Sequence, residues 1–326
     1  MSKTYVVTGG HGFIGSNFVN YICETTDDSV IVIDSNTYAA NPNYIKAPYV
    51  ASGQVRSIVC DIATEPDVLD RLFSHTKVDG IFNFAAETHV DNSITDPNVF
   101  IKTNIVGTYN LLEGVRKNPK CRFLQISTDE VYGSLSEYES SFTEVTNLSP
   151  SSVYSASKAS ADLLVGSYNK TYNLDTIITR CCNNYGSRQH SEKLIPKTII
   201  SILNNREIPV YGKGDNIREW IHVQDHCVAI KSAFDMGKSG EIYNIGSGVE
   251  VQNVVLVKKL LHILEKPLSL IKFVNDRPGH DHRYSIDCSK LKQTTRNRWV
   301  VQYDAKNFDE GLKHTIQWYK ENTQST

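Results

Sequence analysis

Tyr154 and Lys158 stand four residues apart, and Asp129 and Glu130 stand side by side in the run Ser127-Thr128-Asp129-Glu130-Val131-Tyr132-Gly133. A tyrosine and a lysine at i and i+4 share one face of a helix. A nearby ammonium stabilises tyrosinate and lowers a phenol pKa that starts near ~10. A tyrosine tuned in this way takes the proton from an alcohol as a hydride acceptor takes the hydride. Two further carboxyl groups beside it move the protons of a water elimination, one as base and one as acid. Neighbouring strand residues face opposite ways, so both carboxyls reach one substrate only if the backbone leaves β geometry near Asp129. Taken alone, the pair also reads as a turn-capping aspartate followed by a solvated glutamate.

A site for the hydride acceptor lies at the start of the chain. A short apolar strand over 5–8 leads into Gly9-Gly10-His11-Gly12-Phe13-Ile14-Gly15. Such glycines permit a tight turn and let the backbone approach a pyrophosphate, and the helix that follows offers free N–H groups to that anion. Asp34 ends the next strand, 19 residues after Gly15, near the spacing at which a carboxylate holds ribose hydroxyls. A carboxylate there repels a 2′-phosphate, and Ser35-Asn36-Thr37 supplies no arginine to accept one, so NAD is favoured over NADP. Asp61-Ile62 ends the third strand beside the adenine position. Ala85-Ala86 ends the fourth, where small side chains leave room. The bland alternative is a structural turn with a capping aspartate.

The elements that must position these residues follow from periodicity. Apolar runs over 5–8, 30–34, 56–60, 80–84, 123–127 and 176–179 suit strands buried on both faces. Helical patterns over 12–25, 65–74, 98–117 and 155–172 alternate with them. Alternation of this kind predicts an α/β fold, a Rossmann-like doubly wound parallel sheet. Further helices are expected over 191–204, 224–234, 253–264 and 308–319, with short strands over 209–211 and 242–244. The predicted organisation is a dinucleotide-binding domain over 1–180, to which later segments return, and a smaller, interleaved α/β substrate domain over 181–326. The stretch 134–149, rich in Ser and Glu, reads as an exposed loop or a lid.

Composition excludes several classes. The 326 residues carry a formal net charge of −2, which gives no reason to expect nucleic acid or an anionic membrane as partner. Seven cysteines, an odd number without a C-x-x-C pair, read as reduced buried thiols. The ten histidines show no metal-binding spacing, so no metal is expected. The first residues run straight into a strand, and no apolar stretch approaches a membrane span. The expected location is therefore the cytoplasm.

Gly9 to Gly15, Asp34, Asp61-Ile62 and Tyr154/Lys158 together resemble the extended short-chain dehydrogenase/reductase family, and the run from Ser127 to Gly133 resembles its nucleotide-sugar 4,6-dehydratases. The likeness continues through Ala85-Ala86-Glu87-Thr88-His89-Val90-Asp91-Asn92-Ser93, Asn183-Asn184-Tyr185-Gly186, Glu192-Lys193-Leu194-Ile195-Pro196, Arg218-Glu219-Trp220 and Asp276-Arg277-Pro278-Gly279-His280-Asp281. The resemblance implies a lyase acting on a nucleoside-diphosphate glucose, with a nucleotide-sugar 4-epimerase as the alternative. Tyr154 would deprotonate the hydroxyl on carbon 4, Glu130 would take the proton from carbon 5, and protonated Asp129 would release water from carbon 6, with Thr128 and Lys158 assisting. It implies that Thr103, Asn184, Tyr154 and Lys158 touch NAD. It implies that Thr88, Thr128, Asn183, Lys193, Leu194, Tyr211, Arg218, Asn253, Arg277 and His280 line the nucleotide-sugar pocket. Thr88-His89-Val90-Asp91-Asn92-Ser93 and Lys197 resemble the plant UDP-rhamnose enzymes and tilt the reading slightly to UDP-glucose over dTDP-glucose. The resemblance also implies 6-deoxysugar chemistry of the rhamnose kind, and a homodimer through the helices 98–117 and 155–172. The first of these carries Phe100, Ile101, Ile105, Tyr109, Leu112 and Val115.

Overall fold

Alternate residues of the first strand divide the interior in two. In β1 (Thr4–Thr8), Tyr5 and Val7 pack into one apolar cluster and Val6 into another. That is the outcome of a pleated strand with helices on both faces. The computed structural model describes residues 2–276 and 279–322. β1 lies in a seven-stranded, wholly parallel sheet with β2 (Ser29–Asp34), β3 (Val55–Val59), β4 (Gly80–Asn83), β5 (Arg122–Thr128), β6 (Thr176–Cys181) and β10 (Ile242–Ile245), in the order β10-β6-β5-β4-β1-β2-β3. One face is covered by helices Phe13–Thr25 and Val223–Met236. The other is covered by Pro66–His75, Gly107–Lys117 and Val153–Tyr172. The chain reverses direction between β1 and β4, the switch point at which such sheets bind ligands beyond their carboxyl ends.

β10 comes from late in the chain and closes the β6 edge of the sheet. Two small sheets stand apart, one of β11 (Glu250–Gln252), β9 (Ile217–His222) and β7 (Asn183–Tyr185), the other of β12 (Ile271–Val274) and β8 (Ile208–Tyr211). A third apolar cluster, from Tyr185 through Tyr319, fills the space between them and helices Leu194–Leu203, Asn253–Ile263 and Phe308–Asn322.

Three expectations are modified. The stretch 134–149 is not simply exposed: Leu135 and Phe142 are buried in the core, and bridges to Arg283 and Ile286 hold it down. The helix expected over 98–117 is interrupted. Pro97–Phe100 and Gly107–Lys117 are α-helical, but Ile101–Val106 between them is π-helical, a wider winding frequent at functional sites. Within it Asn104 turns inward and clamps Glu87 at both backbone groups, accepting from its N–H at 2.9 Å and donating to its C=O at 3.1 Å. Finally, of the apolar residues on these helices, Phe100, Leu112 and Val115 pack inside the chain. Ile101, Tyr109 and, on the neighbouring helix, Leu163 and Tyr172 remain exposed.

Candidate active site

The carboxyl ends of β1, β2, β4, β5 and β6 open into one cavity of about 470 Å³. At its β1 end the wall is backbone. Gly9 adopts φ +64°, open to glycine at little cost, and a Cβ on Gly15 would sit 2.1 Å from the Gly9 carbonyl oxygen. Helix Phe13–Thr25 begins at Gly12 with no side chain capping it, so its first-turn N–H groups are left to whatever occupies the cavity. Asp34 is buried beside this turn. Its carboxylate accepts from the His11 and Asn36 N–H groups at 2.9 and 2.8 Å while also lining the cavity. It therefore serves the turn and faces the cofactor space at once. Asp61 shapes a turn as well, accepting from Ala63 N–H and the Thr64 hydroxyl.

Gly9, Gly12, Phe13, Ile14, Gly15, Asp34, Ser35, Thr37, Asp61, Ile62, Ala85, Ala86, Thr103, Tyr154, Lys158 and Asn184 all line this one cavity. Asn36 does not. Its left-handed backbone turns the side chain onto the His11 ring, 2.7 Å away. The Asp34 end is otherwise lined by Ser35, Thr37, Ala39 and Ala40, and among the described residues that line it there is no lysine or arginine to receive a 2′-phosphate. An open helix end, a glycine-built approach and a carboxylate at the far wall fit an unphosphorylated dinucleotide.

Thr128, Asp129, Glu130, Tyr154 and Lys158 line the opposite end. The backbone leaves β geometry as the spacing required: β5 stops at Thr128, and Asp129–Tyr132 is a single 3-10 turn. Thr128 caps it, its hydroxyl accepting from the Glu130 N–H at 3.3 Å. Asp129 is 1% exposed and its Oδ2 has no hydrogen-bond partner. Burial, reinforced by the Glu130 and Glu219 charges, pushes its carboxyl well above the usual range. The protonated form of Asp129, the one that can donate, is thereby favoured, while Glu130, half-buried, opens onto the cavity.

Helix Val153–Tyr172 starts at a capping box in which Ser152 and Ser155 each bind the other's backbone N–H, which fixes Tyr154 in its first turn. Here the tyrosine differs from expectation. Burial first, then the Glu130 and Cys181 charges, hold its phenol well above its ordinary value, with the Thr128 hydroxyl working the other way. Lys158 does not offset this. Its Nζ donates to the Ile126 carbonyl at 2.7 Å, and burial lowers it to about 8, against the pull of Asp162.

Thr88, Asn183, Lys193 and Leu194 also line the cavity, with Asn183 Oδ1 buried and unpartnered. Tyr211, Arg218, Asn253 and His280 do not. Arg218 is turned to the Ile217, Asp281 and His282 carbonyls and lies 4.2 Å over the Tyr284 ring, and Tyr284 in turn feels the Glu130 charge. Tyr211 donates to Asp91 and packs edge-on to His280, which pairs with Asp276 at 2.6 Å. Asn253 opens a helix without capping it, and its Oδ1 has no partner. These four stand outside the cavity lining; Arg277 lies outside the described residues.

Glu87, Glu192 and Trp220 line the cavity although no role was read for them, and so do Cys181 and Cys182. Glu87, Glu192 and Trp220 stand inside motifs of the family resemblance, which was the available signal; the two cysteines stand just before one. All seven cysteines are free and buried, and burial pushes the Cys181 thiol up to about 12, which makes it a packing group rather than a nucleophile. Among the described residues no group of side chains suits a metal ion, and no helix is long and apolar enough to cross a membrane.

Comparison with known proteins places this geometry. Residues 6–314 match the family described as GDP-mannose 4,6 dehydratase. The chain is 46% identical to the low-salt glycan biosynthesis protein Agl12 of Haloferax volcanii, over 96% of this chain and 97% of that one. It is 43% identical to the dTDP-glucose 4,6-dehydratase of Neisseria gonorrhoeae, over 98% and 96%. Among solved structures, the Streptomyces venezuelae dTDP-glucose 4,6-dehydratase DesIV with NAD and TYD bound superposes with a TM-score of 0.91 at 44% identity, covering 98% of both chains.

Proposed function

Because the chain belongs to the GDP-mannose 4,6 dehydratase family, we propose a division of labour for its residues in the oxidation, water loss and reduction of a nucleoside-diphosphate glucose. The protein is an NAD-dependent nucleotide-sugar 4,6-dehydratase. The observation that carries the residue assignment is the single turn on which Asp129 and Glu130 face the same cavity as Tyr154, with burial favouring the protonated form of Asp129.

Bound NAD supplies the acceptor and later the donor of one hydride. The backbone at Gly9, Gly12 and Gly15 would hold its pyrophosphate, and Asp34 its ribose. Tyr154 would take the proton of the carbon 4 hydroxyl as phenolate, a form that the positive charge of bound NAD would favour against the burial that raises the phenol, with the Thr128 hydroxyl acting in the same direction as that charge. The ketone so formed acidifies the carbon 5 proton, which Glu130 removes. Asp129 gives its proton to the departing carbon 6 hydroxyl, and water leaves. The proton count closes when Glu130 returns its proton as the double bond is reduced, and when Tyr154 gives up its own and Asp129 takes one back, both by way of the surrounding water.

Thr88, Asn183, Lys193 and Leu194 are assigned to the sugar and its diphosphate, and Tyr211, Arg218, Asn253 and His280 to the nucleotide. The names of the dTDP-glucose relatives favour dTDP-glucose, against the tilt that Thr88 to Ser93 gave to UDP-glucose. The exposed Ile101, Tyr109, Leu163 and Tyr172 support a homodimer through the two helices that carry them. Sedimentation at micromolar concentration should give a mass twice that of one chain.

Incubation of the NAD-loaded protein with dTDP-glucose and with UDP-glucose, separately, tests the reading by mass. A product lighter by one water is expected, faster from dTDP-glucose. Unchanged mass with galactose formed would instead make the chain a 4-epimerase.

A further inference from the structure

One buried cation lies beneath the site and touches both of its halves without lining the cavity. Arg180, 3% exposed, sits in β6 level with Ser127 of β5 on one side and Asn244 of β10 on the other. A guanidinium this deep is tolerated only when paired and hydrogen-bonded. Its Nε donates to Asp162 Oδ2 at 2.9 Å, and Asp162 is as buried as its partner. Asp162 stands one turn beyond Lys158, so Tyr154, Lys158 and Asp162 form one stripe along helix Val153–Tyr172.

The same guanidinium lies 4.8 Å from the centre of the Tyr132 ring. Tyr132 closes the turn that Asp129 opens. Its hydroxyl donates to Asn244 Oδ1 at 2.8 Å, and its other ring contact is a stack on Phe142 at 5.1 Å. The turn with both carboxyls is thus gripped at its far end by a residue that is itself tied to the Tyr-Lys helix.

We propose that Arg180 is a positioning residue: through Asp162 it secures the Lys158 ammonium, and through Tyr132 it fixes the turn that presents Asp129 and Glu130. The inference deepens the dehydratase reading and rests on it. The groups whose charge bears on Lys158 are Asp162 on its own helix and Cys181 on β6. Those bearing on Tyr154 are Glu130, Cys181 and Asp129. Asp162 faces Arg180 from β6 and Lys158 from its own helix; burial raises its carboxyl above the usual value, and both cations work against that. Removal of Arg180 alone would strand a buried carboxylate. The informative variant therefore removes both charges, Arg180→Met with Asp162→Leu, an exchange that buried ion pairs often tolerate.

The NAD-loaded wild type and variants are compared by thermal unfolding and by water loss from whichever nucleotide-glucose the wild type accepts, across pH. The folded double variant is expected to lose about 100-fold in kcat, the scale of a catalytic group displaced by about 1 Å, with KM little changed. Its alkaline limb moves to lower pH, because Lys158 has lost the carboxylate that holds its proton. Arg180→Lys keeps a charge for Asp162 but offers no planar face to Tyr132. It should keep the limb in place and recover kcat only in part. A folded double variant with unaltered kcat and an unmoved limb overturns the proposal. If that variant does not fold, Arg180→Lys with wild-type kcat does so. Lys158 titration by NMR in protein labelled with carbon-13 lysine needs no turnover. Its pKa should fall in the double variant, and an unmoved value counts against the proposal even if neither sugar is a substrate.

Discussion

The two ends of the cavity are made of different material. The end at Gly9, Gly12 and Gly15 is main chain, held by a local strand–turn–helix and complete within some 30 residues of the start. The end at Asp129, Glu130 and Tyr154 is side chain, buried, charged and assembled from a turn after β5 and a helix that begins at Val153. The first needs only absent side chains. The second needs present ones kept in costly states, a carboxyl at Asp129 pushed up by burial and a lysine lowered to about 8. Cofactor binding should therefore be robust to polar substitution and fragile to added bulk, and chemistry the reverse.

Substitutions can break that contrast. The largest effect is expected at the side-chain end. Glu130→Gln or Tyr154→Phe should lower water loss by about 10³-fold, within the range for a lost general base, while NAD content after purification stays at the wild-type level. Equal loss of NAD in either variant would show the two ends to be one unit. Next is Gly15→Ala at the main-chain end. Its Cβ would lie 2.1 Å from the Gly9 carbonyl, so the turn must open, and bound NAD measured after gel filtration should drop to a small fraction. Retention of NAD there would mean that the close approach is dispensable.

The smallest effect is on stability. Lys158 binds its proton less tightly folded, at about 8, than at its ordinary 10.5. Between those values the unfolded chain carries more protons, so this residue's contribution to stability rises as pH rises through that window. Below about pH 8 the full penalty of the buried ammonium is present. Lys158→Met should therefore stabilise the protein at pH 7 by about 1–2 kcal/mol, with the advantage shrinking toward pH 10 in denaturant titrations. An advantage that grows with pH would contradict the sign.

The same contrast governs what could be read from the chain alone. The glycine turn, Asp34 and the main strands were legible because each is fixed by neighbours in sequence. The departure from β geometry at Asp129 was legible because two adjacent acids cannot otherwise face one substrate. The rest depends on contacts between distant residues. Arg180 and Asp162 look unremarkable 18 positions apart until a strand and a helix bring them together. The π-helical winding at Ile101–Val106 has no local signature distinct from an α-helix. Leu135 and Phe142 were lost among the serines of their stretch, and Asn36 was grouped with its neighbours although its backbone turns it away. β7, β9 and β11 escaped notice because strands of three to six residues in mixed company carry little periodicity.

Because β10 arrives last and covers the rim of β6, the first half of the chain is not a stand-alone module. A protein cut after Cys181 would present the backbone amides and carbonyls of Ile178 through Cys181 to solvent. Bare rims of this kind recruit other strands. Expressed alone, the dinucleotide half should self-associate rather than stay monomeric, and any engineered split belongs beyond Ile245.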